Sequence, residues 1–324
     1  MTIPMMLGLT AVAVLGAPVL VPAMIGWDVV RIRWRFPTIR VYAFLLRYAL
    51  NDSAEILAAP VLWVTAGFGR RLDGPVSIRR HQRLQAWSID GLAREADRLL
   101  GLRLAVDDRA VASLEPGPVI VLCRHVSLID ASLPGLLYQR LGYQVRAVIM
   151  AELLADPGFD LLYGRLGSVF IPRDDGAEAR RSLAGMGRHL DRRTAVVIYP
   201  EGRLFRPAAR DRALARLADS APERAGRLQG LRHLLPPRPG GVSTLLDALP
   251  EADVVVLAHA GLDRWASFAD LARAVPVTAP IRVTAWRVPR AEIPDGPDQR
   301  TAWLDRQWLD VDHWVAEALA AGSP

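Results

Sequence analysis

Val119-Ile-Val-Leu-Cys-Arg-His-Val-Ser-Leu-Ile-Asp130 is the stretch from which the rest of the chain can be read. After Gly117-Pro118 comes an apolar run, Val119 to Cys123, with the length and β-branching of a buried strand. Polarity begins at Arg124-His125. Ser127 and Asp130 then have the S-x-x-[DE] spacing of a capping box, which predicts a helix starting at Ser127. His125 is thereby set on a strand-to-helix turn, with a carboxylate in the first helical turn. Within one helix, residues five apart do not share a face; across a turn their side chains can meet. A carboxylate that fixes the tautomer of a neutral imidazole, and steadies the imidazolium, makes that imidazole a general base. No serine nucleophile is fixed beside it, so the base would act on a substrate hydroxyl. Two plainer roles fit the same residues: Asp130 as a helix cap only, and His125 as the polar end of a strand.

Similar apolar runs recur outward from this one, at Leu102 to Val106, Val145 to Met150, Val169 to Ile171, Ala195 to Tyr199, Val254 to Ala258 and Ile281 to Ala285. Helix-compatible segments, including Ser127 to Leu141 and Ala177 to Asp191, lie between several of them. Alternation of this kind predicts an α/β fold: a mostly parallel central sheet flanked by helices. Upstream, Arg79 to Leu102 repeats apolar residues near 3.6 spacing (Leu84, Trp87, Leu92, Ala96, Leu99), a helix that Gly101 stops. The reading divides the chain at residue 78, with a membrane-anchoring helical region over 1–78 and a catalytic domain over 79–324.

The N-terminal region earns that description from its charge pattern. Ile3 to Ile25 holds no charged residue and exceeds the roughly 20 residues that cross a bilayer as a helix. No basic residue precedes it, unlike a secretory signal. Trp27, Arg31, Arg33, Arg35 and Arg40 follow, and the positive-inside rule assigns that end, and the domain beyond it, to the cytoplasmic side of the cell membrane. A second apolar patch, Ile56 to Phe68, is too short for an ordinary crossing and reads as a re-entrant or interfacial segment, or else as part of a buried hairpin. The formal net charge is +6, and each of the 40 basic residues is Arg, as in chains from GC-rich genomes. A basic chain with an apolar N-terminus suits anionic membrane lipids. Nothing in it matches a nucleic-acid-binding motif. The single cysteine, Cys123, excludes an intrachain disulfide. No spacing of His, Cys and carboxylates converges on a metal site.

Four further stretches give the dyad a context. His125-Val-Ser-Leu-Ile-Asp130 resembles the H-x4-D motif of the glycerolipid acyltransferases, the lysophosphatidic acid acyltransferase superfamily. Gly167-Ser-Val-Phe-Ile-Pro-Arg173 resembles that family's second motif, G-x-x-F-I-x-R, and Tyr199-Pro-Glu-Gly-Arg203 its third, P-E-G-T-R. All three fall in the family's order. Leu231-Arg-His-Leu-Leu-Pro-Pro-Arg-Pro-Gly-Gly241 is similar to the L-x-P-R-x-x-G element of the lysocardiolipin and eukaryotic-type lysophosphatidic acid acyltransferase branch. Trp303-Leu-Asp-Arg-Gln-Trp308 with Asp312 is similar to that branch's C-terminal segment.

The resemblance implies acyl transfer to a lysophospholipid from acyl-CoA or acyl carrier protein, with no cofactor besides that donor. It implies His125 as base and Asp130 as its partner. The acceptor's phosphate calls for Arg donors; Arg173 matches the second-motif Arg, and Arg238 the branch element. Glu201, Gly202 and Arg203 complete the implied substrate site at the end of a strand. The third motif departs from the family at Arg203-Leu204, where Thr-Arg is usual, so the guanidinium is shifted by one residue. The first motif departs at Arg124, where Asn is common. The N–H groups of a helix starting near Ser127 would suit an oxyanion or a phosphate. The arginines between residues 204 and 232 read as a solvated helix paired with Asp211, Asp219 and Glu223. His189, His233 and His259 carry no expected role.

Overall fold

A computed structural model describes residues 3–113, 115–127, 129–172, 176–187, 193–263, 265 and 268–321. Each apolar run becomes a strand: β1 (Leu104–Val106), β2 (Val119–Cys123), β3 (Gln144–Met150), β4 (Val169–Ile171), β5 (Thr194–Ile198), β6 (Asp253–Ala260) and β7 (Ile281–Val288). They form one sheet in the order β1-β7-β6-β2-β5-β3-β4. β2 lies between β6 and β5, parallel to both, with Val121 opposite Val255 and Val197. β6 and β7 run antiparallel. Every residue of β2 and β5 is buried. Strands covered on both faces need apolar residues at every position, which is why these two read as unbroken runs rather than as alternations.

The helices are α1 (Ile3–Val30), α2 (Pro37–Thr65), α3 (Pro75–Glu95), α4 (Asp108–Ala112), α5 (Leu133–Gln139), α6 (Pro157–Leu162), α7 (Gly176–Gly185), α8 (Pro207–Ser220), α9 (Pro222–Leu228), α10 (Pro239–Ala248), α11 (Phe268–Ala274) and α12 (Pro297–Ala321). By contact density the chain forms two compact units. One comprises 1–103, 149–170 and 268–280; the other comprises 104–148, 171–267 and 281–324.

In the first unit α1 and α2 lie side by side. Tyr42 Oη donates to Ala13 O at 2.6 Å, and Ser53 Oγ to Thr10 Oγ1 at 2.9 Å. Among the described residues α1 is the one helix long and apolar enough to cross a membrane, with mean hydropathy 2.1 in its most apolar window and only 6% of that window buried. The patch from Ile56 to Phe68 is not a separate short segment. Through Thr65 it is the C-terminal part of the 29-residue α2, and Pro60 lies inside the helix without ending it. The part before Ile56 escaped the apolar reading because Arg40, Arg47, Asn51, Asp52 and Glu55 dilute it. α3 ends at Glu95, and a π-helical turn, Ala96–Leu100, carries the run on to the expected stop at Gly101, which has φ 75° and where any Cβ would meet Val277 O.

In the second unit α12 buries the stripe Leu304, Trp308, Val311 and Val315 in the core. Its buried Asp305 takes the guanidinium of Arg224 (2.8 Å) and a longer contact from Arg227 (3.3 Å). Two arginines of the 204–232 segment are therefore tied to α12 rather than to carboxylates within their own segment, while Arg210 pairs locally with Asp211.

Candidate active site

Because β6, β2 and β5 are parallel neighbours, their C-terminal ends share one edge of the sheet, the edge at which open α/β sheets place ligands. The turn after β2 brings His125 and Asp130, the turn after β5 brings Glu201, Gly202 and Arg203, and the end of β6 brings His259 and Asp263.

His125 Nδ1 and Asp130 Oδ1 are 2.6 Å apart. Asp130 Oδ2 accepts the backbone N–H of Val126 (2.5 Å) and of Ser127 (2.8 Å). The carboxylate is fully buried, and the imidazole is 19% exposed. With Nδ1–H directed at the carboxylate, Nε2 carries the lone pair, and among the described residues nothing hydrogen-bonds to it. The Tyr199 ring backs the imidazole at 4.5 Å between centroids.

The helix expected from Ser127 does not start there. A 3-10 turn spans Asp130–Ser132, and α5 begins at Leu133, with Pro134 in its first turn. Half of the capping box is present, since Asp130 reaches back to the Ser127 N–H. Ser127 Oγ instead donates to Trp265 O at 3.1 Å, which draws this residue toward another loop. This turn does not supply the free helix N–H groups expected near Ser127. The N–H groups of Val126 and Ser127 are spent on Asp130, and that of His125 on Glu201 Oε1 at 2.9 Å, so none of the three is free for an oxyanion or phosphate.

Glu201 is also fully engaged. Its other oxygen accepts Leu235 N–H at 2.9 Å, and the side chain is 1% exposed. Burial pushes its pKa up to about 8, against the pull of these two N–H donors and of Arg124. The carboxyl therefore acts as a strut joining the His125 turn to the 231–238 segment, not as a group open to substrate.

Gly202 has φ 66°, and Arg238 atoms lie 3.2–3.4 Å from where a Cβ would stand. The position thus needs glycine twice, for the left-handed backbone and for the guanidinium stacked over it. Arg238 is hung on the same turn by its N–H, which donates to Pro200 O at 2.8 Å. Arg203 belongs to a loop fastened to the dyad by Phe205 N–H to His125 O at 2.7 Å. Burial and the charges of Arg203 and Arg216 hold the Arg238 pKa below its usual value. Among the described residues neither the Arg203 nor the Arg238 guanidinium has an acceptor. Two adjacent unpaired cations beside a His–Asp pair make an anion-binding arrangement. Arg173 and His189 lie outside the described residues. His233 contributes only backbone, its N–H donating to Asp312 at 2.6 Å.

Sequence reading missed the group behind the dyad. Arg124 is completely buried, donating to His259 O (2.7 Å), to His233 O (3.1 Å) and to the Asp263 carboxylate. Burial raises the pKa of Asp263, but Arg124 overrides this and leaves it below the ordinary carboxylate value. His259 Nε2 lies 3.2 Å from Arg124 O and 3.6 Å from Asp130 Oδ2. Burial depresses its pKa despite the nearby Asp130 carboxylate, so His259 is a neutral side chain packed against Asp130. The only local signal was an arginine at the end of an apolar strand. Its acceptors come from positions more than a hundred residues away.

A cavity of about 410 Å³ among Gly230, Arg232, Leu309, Asp312, His313 and Ala316 does not include the dyad. Among the described residues no group of three or more His, Cys, Asp or Glu side chains is placed to hold a metal ion.

No curated protein matches the chain. The crystal structure of the 1-acyl-sn-glycerophosphate (LPA) acyltransferase PlsC from Thermotoga maritima shares its fold, with a TM-score of 0.51 at 15% identity, over 87% of this chain and 100% of that one. Residues 106–260, from the end of β1 to the end of β6, match the family described as Acyltransferase, and the matched segment contains His125, Asp130, Glu201 and Arg238.

Proposed function

We propose that the protein is a membrane-bound O-acyltransferase that moves a fatty acyl group from acyl-CoA or acyl carrier protein to the free hydroxyl of lysophosphatidic acid or a related lysophospholipid. The observation that carries the reading is the 2.6 Å contact from His125 Nδ1 to the buried Asp130, which leaves Nε2 unbonded. Nε2 removes the proton of the acceptor hydroxyl as its oxygen attacks the thioester carbonyl. The tetrahedral adduct collapses, the carbon–sulfur bond breaks, and the departing thiolate takes the proton from the imidazolium. Acyl transfer is direct, without an acyl-enzyme.

Arg238 and Arg203 are the described cations suited to the acceptor phosphate, and Arg173 joins them by its motif. The 231–241 and 303–312 segments favour the lysocardiolipin and eukaryotic-type branch. α1 holds the enzyme in the cell membrane, with its catalytic domain on the cytoplasmic side and anionic lipids as neighbours. The test is radiolabelled acyl-CoA incubated with the purified full chain and a panel of lysophospholipids. Diacyl product is expected. Free fatty acid alone would assign the dyad to hydrolysis, and no product with any acceptor would make the protein a lipid binder.

A further inference from the structure

The first unit has a feature that acyl transfer does not use. Ten residues, Arg31 to Arg40, contain four arginines and no carboxylate. Within them, Ile32, Arg33, Trp34, Arg35 and Pro37 line a pocket of about 430 Å³ together with Arg273 of α11. Trp34 is 67% exposed and Ile32 74% exposed.

This is a built loop rather than a loose run of charge. Ile32 and Phe36 both have left-handed backbone, with φ 56° and 51°, a conformation that a β-branched residue such as Ile32 seldom adopts. Fully buried Asp28 holds the loop from one side. Its carbonyl accepts Arg33 N–H at 2.8 Å, and its carboxylate accepts Thr38 N–H at 2.9 Å and Thr38 Oγ1 at 2.6 Å. Arg40 holds it from the other, with Nε donating to Arg35 O at 2.8 Å. The buried carboxylate beneath the loop, Asp28 near the end of α1, is therefore spent on the start of α2 and does not neutralise the pocket. Asp270 pairs with Arg273 at 2.9 Å. Among the described residues the guanidiniums of Arg33 and Arg35 have no acceptor.

Two unpaired guanidiniums, Arg33 and Arg35, on a backbone held in place beside a concavity suit a phosphate-type anion. The source of that anion is indicated by what surrounds the pocket. It lies directly after the apolar α1, beside an exposed Trp27 whose ring carries Arg31 at 4.5 Å, and exposed Trp with Arg is the composition of a bilayer's headgroup layer. We propose that this pocket binds the headgroup phosphate of an anionic phospholipid, at a site made wholly of first-unit residues and separate from the His125 dyad. Assigning the anion to a lipid draws on the reading of α1 as membrane-embedded, which carbonate extraction tests separately, and not on the acyl-transfer reading.

The test is native mass spectrometry of the full chain released from nonionic detergent, loaded with equimolar phosphatidylglycerol and phosphatidylcholine of the same acyl chains. The wild type is expected to retain phosphatidylglycerol about tenfold over phosphatidylcholine, and the Arg33→Gln/Arg35→Gln/Arg273→Gln variant to retain both equally. Equal retention by the wild type, or an undiminished preference in the variant, would overturn the proposal. Inorganic phosphate is the second arm. If it binds the wild type and not the variant while neither discriminates between the two lipids, the pocket is a free-phosphate site and the lipid assignment fails. Alkaline carbonate extraction of both proteins keeps the premise separate. Release of both with the lipid preference intact would remove α1 from the bilayer and leave the headgroup site standing.

Discussion

Replacing Asp130 with Asn removes one charge and adds two donors without changing the size of the side chain. The buried carboxylate accepts three N–H groups, from His125 Nδ1, Val126 and Ser127. An amide has one oxygen to offer. If that oxygen stays with Val126 and Ser127, the new NH2 faces His125 Nδ1. Nδ1 must then become the acceptor, which puts the imidazole proton on Nε2. If the amide flips to keep Nδ1–H bonded, two buried backbone donors lose their acceptor, at about 1–3 kcal/mol each. The first orientation wins, and it disables the base, because Nε2 no longer has a lone pair for the hydroxyl proton. In Ser-His-Asp systems the same tautomer error costs about 10⁴ in kcat. We expect a loss of about 10³–10⁴, or roughly 4–5.5 kcal/mol of transition-state stabilisation, with the acceptor KM changed by no more than a few fold. The assay is steady-state transfer from labelled acyl-CoA to lysophosphatidic acid, with each substrate varied in turn. His125→Ala, which leaves the Asp130 bonds to Val126 and Ser127 in place, serves as the folding-safe companion. If kcat for Asp130→Asn lies within tenfold of wild type, the dyad is not the base.

Arg238→Ala and Arg203→Ala should raise the acceptor KM and lower efficiency roughly 10- to 100-fold while sparing the donor KM. The expected order of severity is Arg173, then Arg238, then Arg203, and a silent Arg173→Ala beside a severe Arg203→Ala would overturn the motif alignment. Arg124→Asn should destabilise by about 3–5 kcal/mol in thermal or denaturant unfolding, because Asp263 is left largely buried without its partner; adding Asp263→Asn should recover part of that loss. Glu201 supplies a pH signature. Its folded pKa of about 8 lies above the ordinary 4.5, so the folded state binds the extra proton between these values and stability falls as pH rises through that window, by up to about 1.4 kcal/mol per pH unit. Unfolding temperatures at pH 5.5 and 8 should differ in the wild type and converge in Glu201→Gln; an unchanged difference would mean another group titrates.

The strands were legible because burial on both faces leaves no room for ambiguity. Each apolar run marked a strand, and the boundaries of β2 and β4 fell on the expected residues. Pairing was not legible. That β6 would lie beside β2 depends on a pairing across more than a hundred residues, and that it would run antiparallel to β7 depends on the partner it takes beyond α11; no local pattern encodes either. Helix starts were read less well than strands. At Ser127 the capping signal was real, but the Ser127 hydroxyl was claimed by Trp265, and the regular helix waited for Leu133-Pro134. At Pro37 the start of α2 was overlooked because its cap is Asp28, at the end of the preceding helix.

The site divides along the same line. His125 and Asp130 met because five residues across one turn suffice to bring them together, so spacing alone carried the inference. Glu201 is the opposite case. Its position after β5 suggested a ligand-facing carboxylate, yet two backbone N–H groups from segments 76 and 34 residues away in sequence consume both oxygens. Arg124 entered the sequence reading only as a departure from the first motif, and burying a guanidinium is costly without partners. The fold supplies them at 233, 259 and 263, and the cation becomes a pin between the ends of β2 and β6 directly behind Asp130. The His259 beside it then has no room to ionise and packs as a neutral wall. Each strut is non-local, so the dyad could be found from sequence while the frame that fixes its geometry could not. The frame is therefore where variants distant from His125 in sequence should alter turnover without touching substrate.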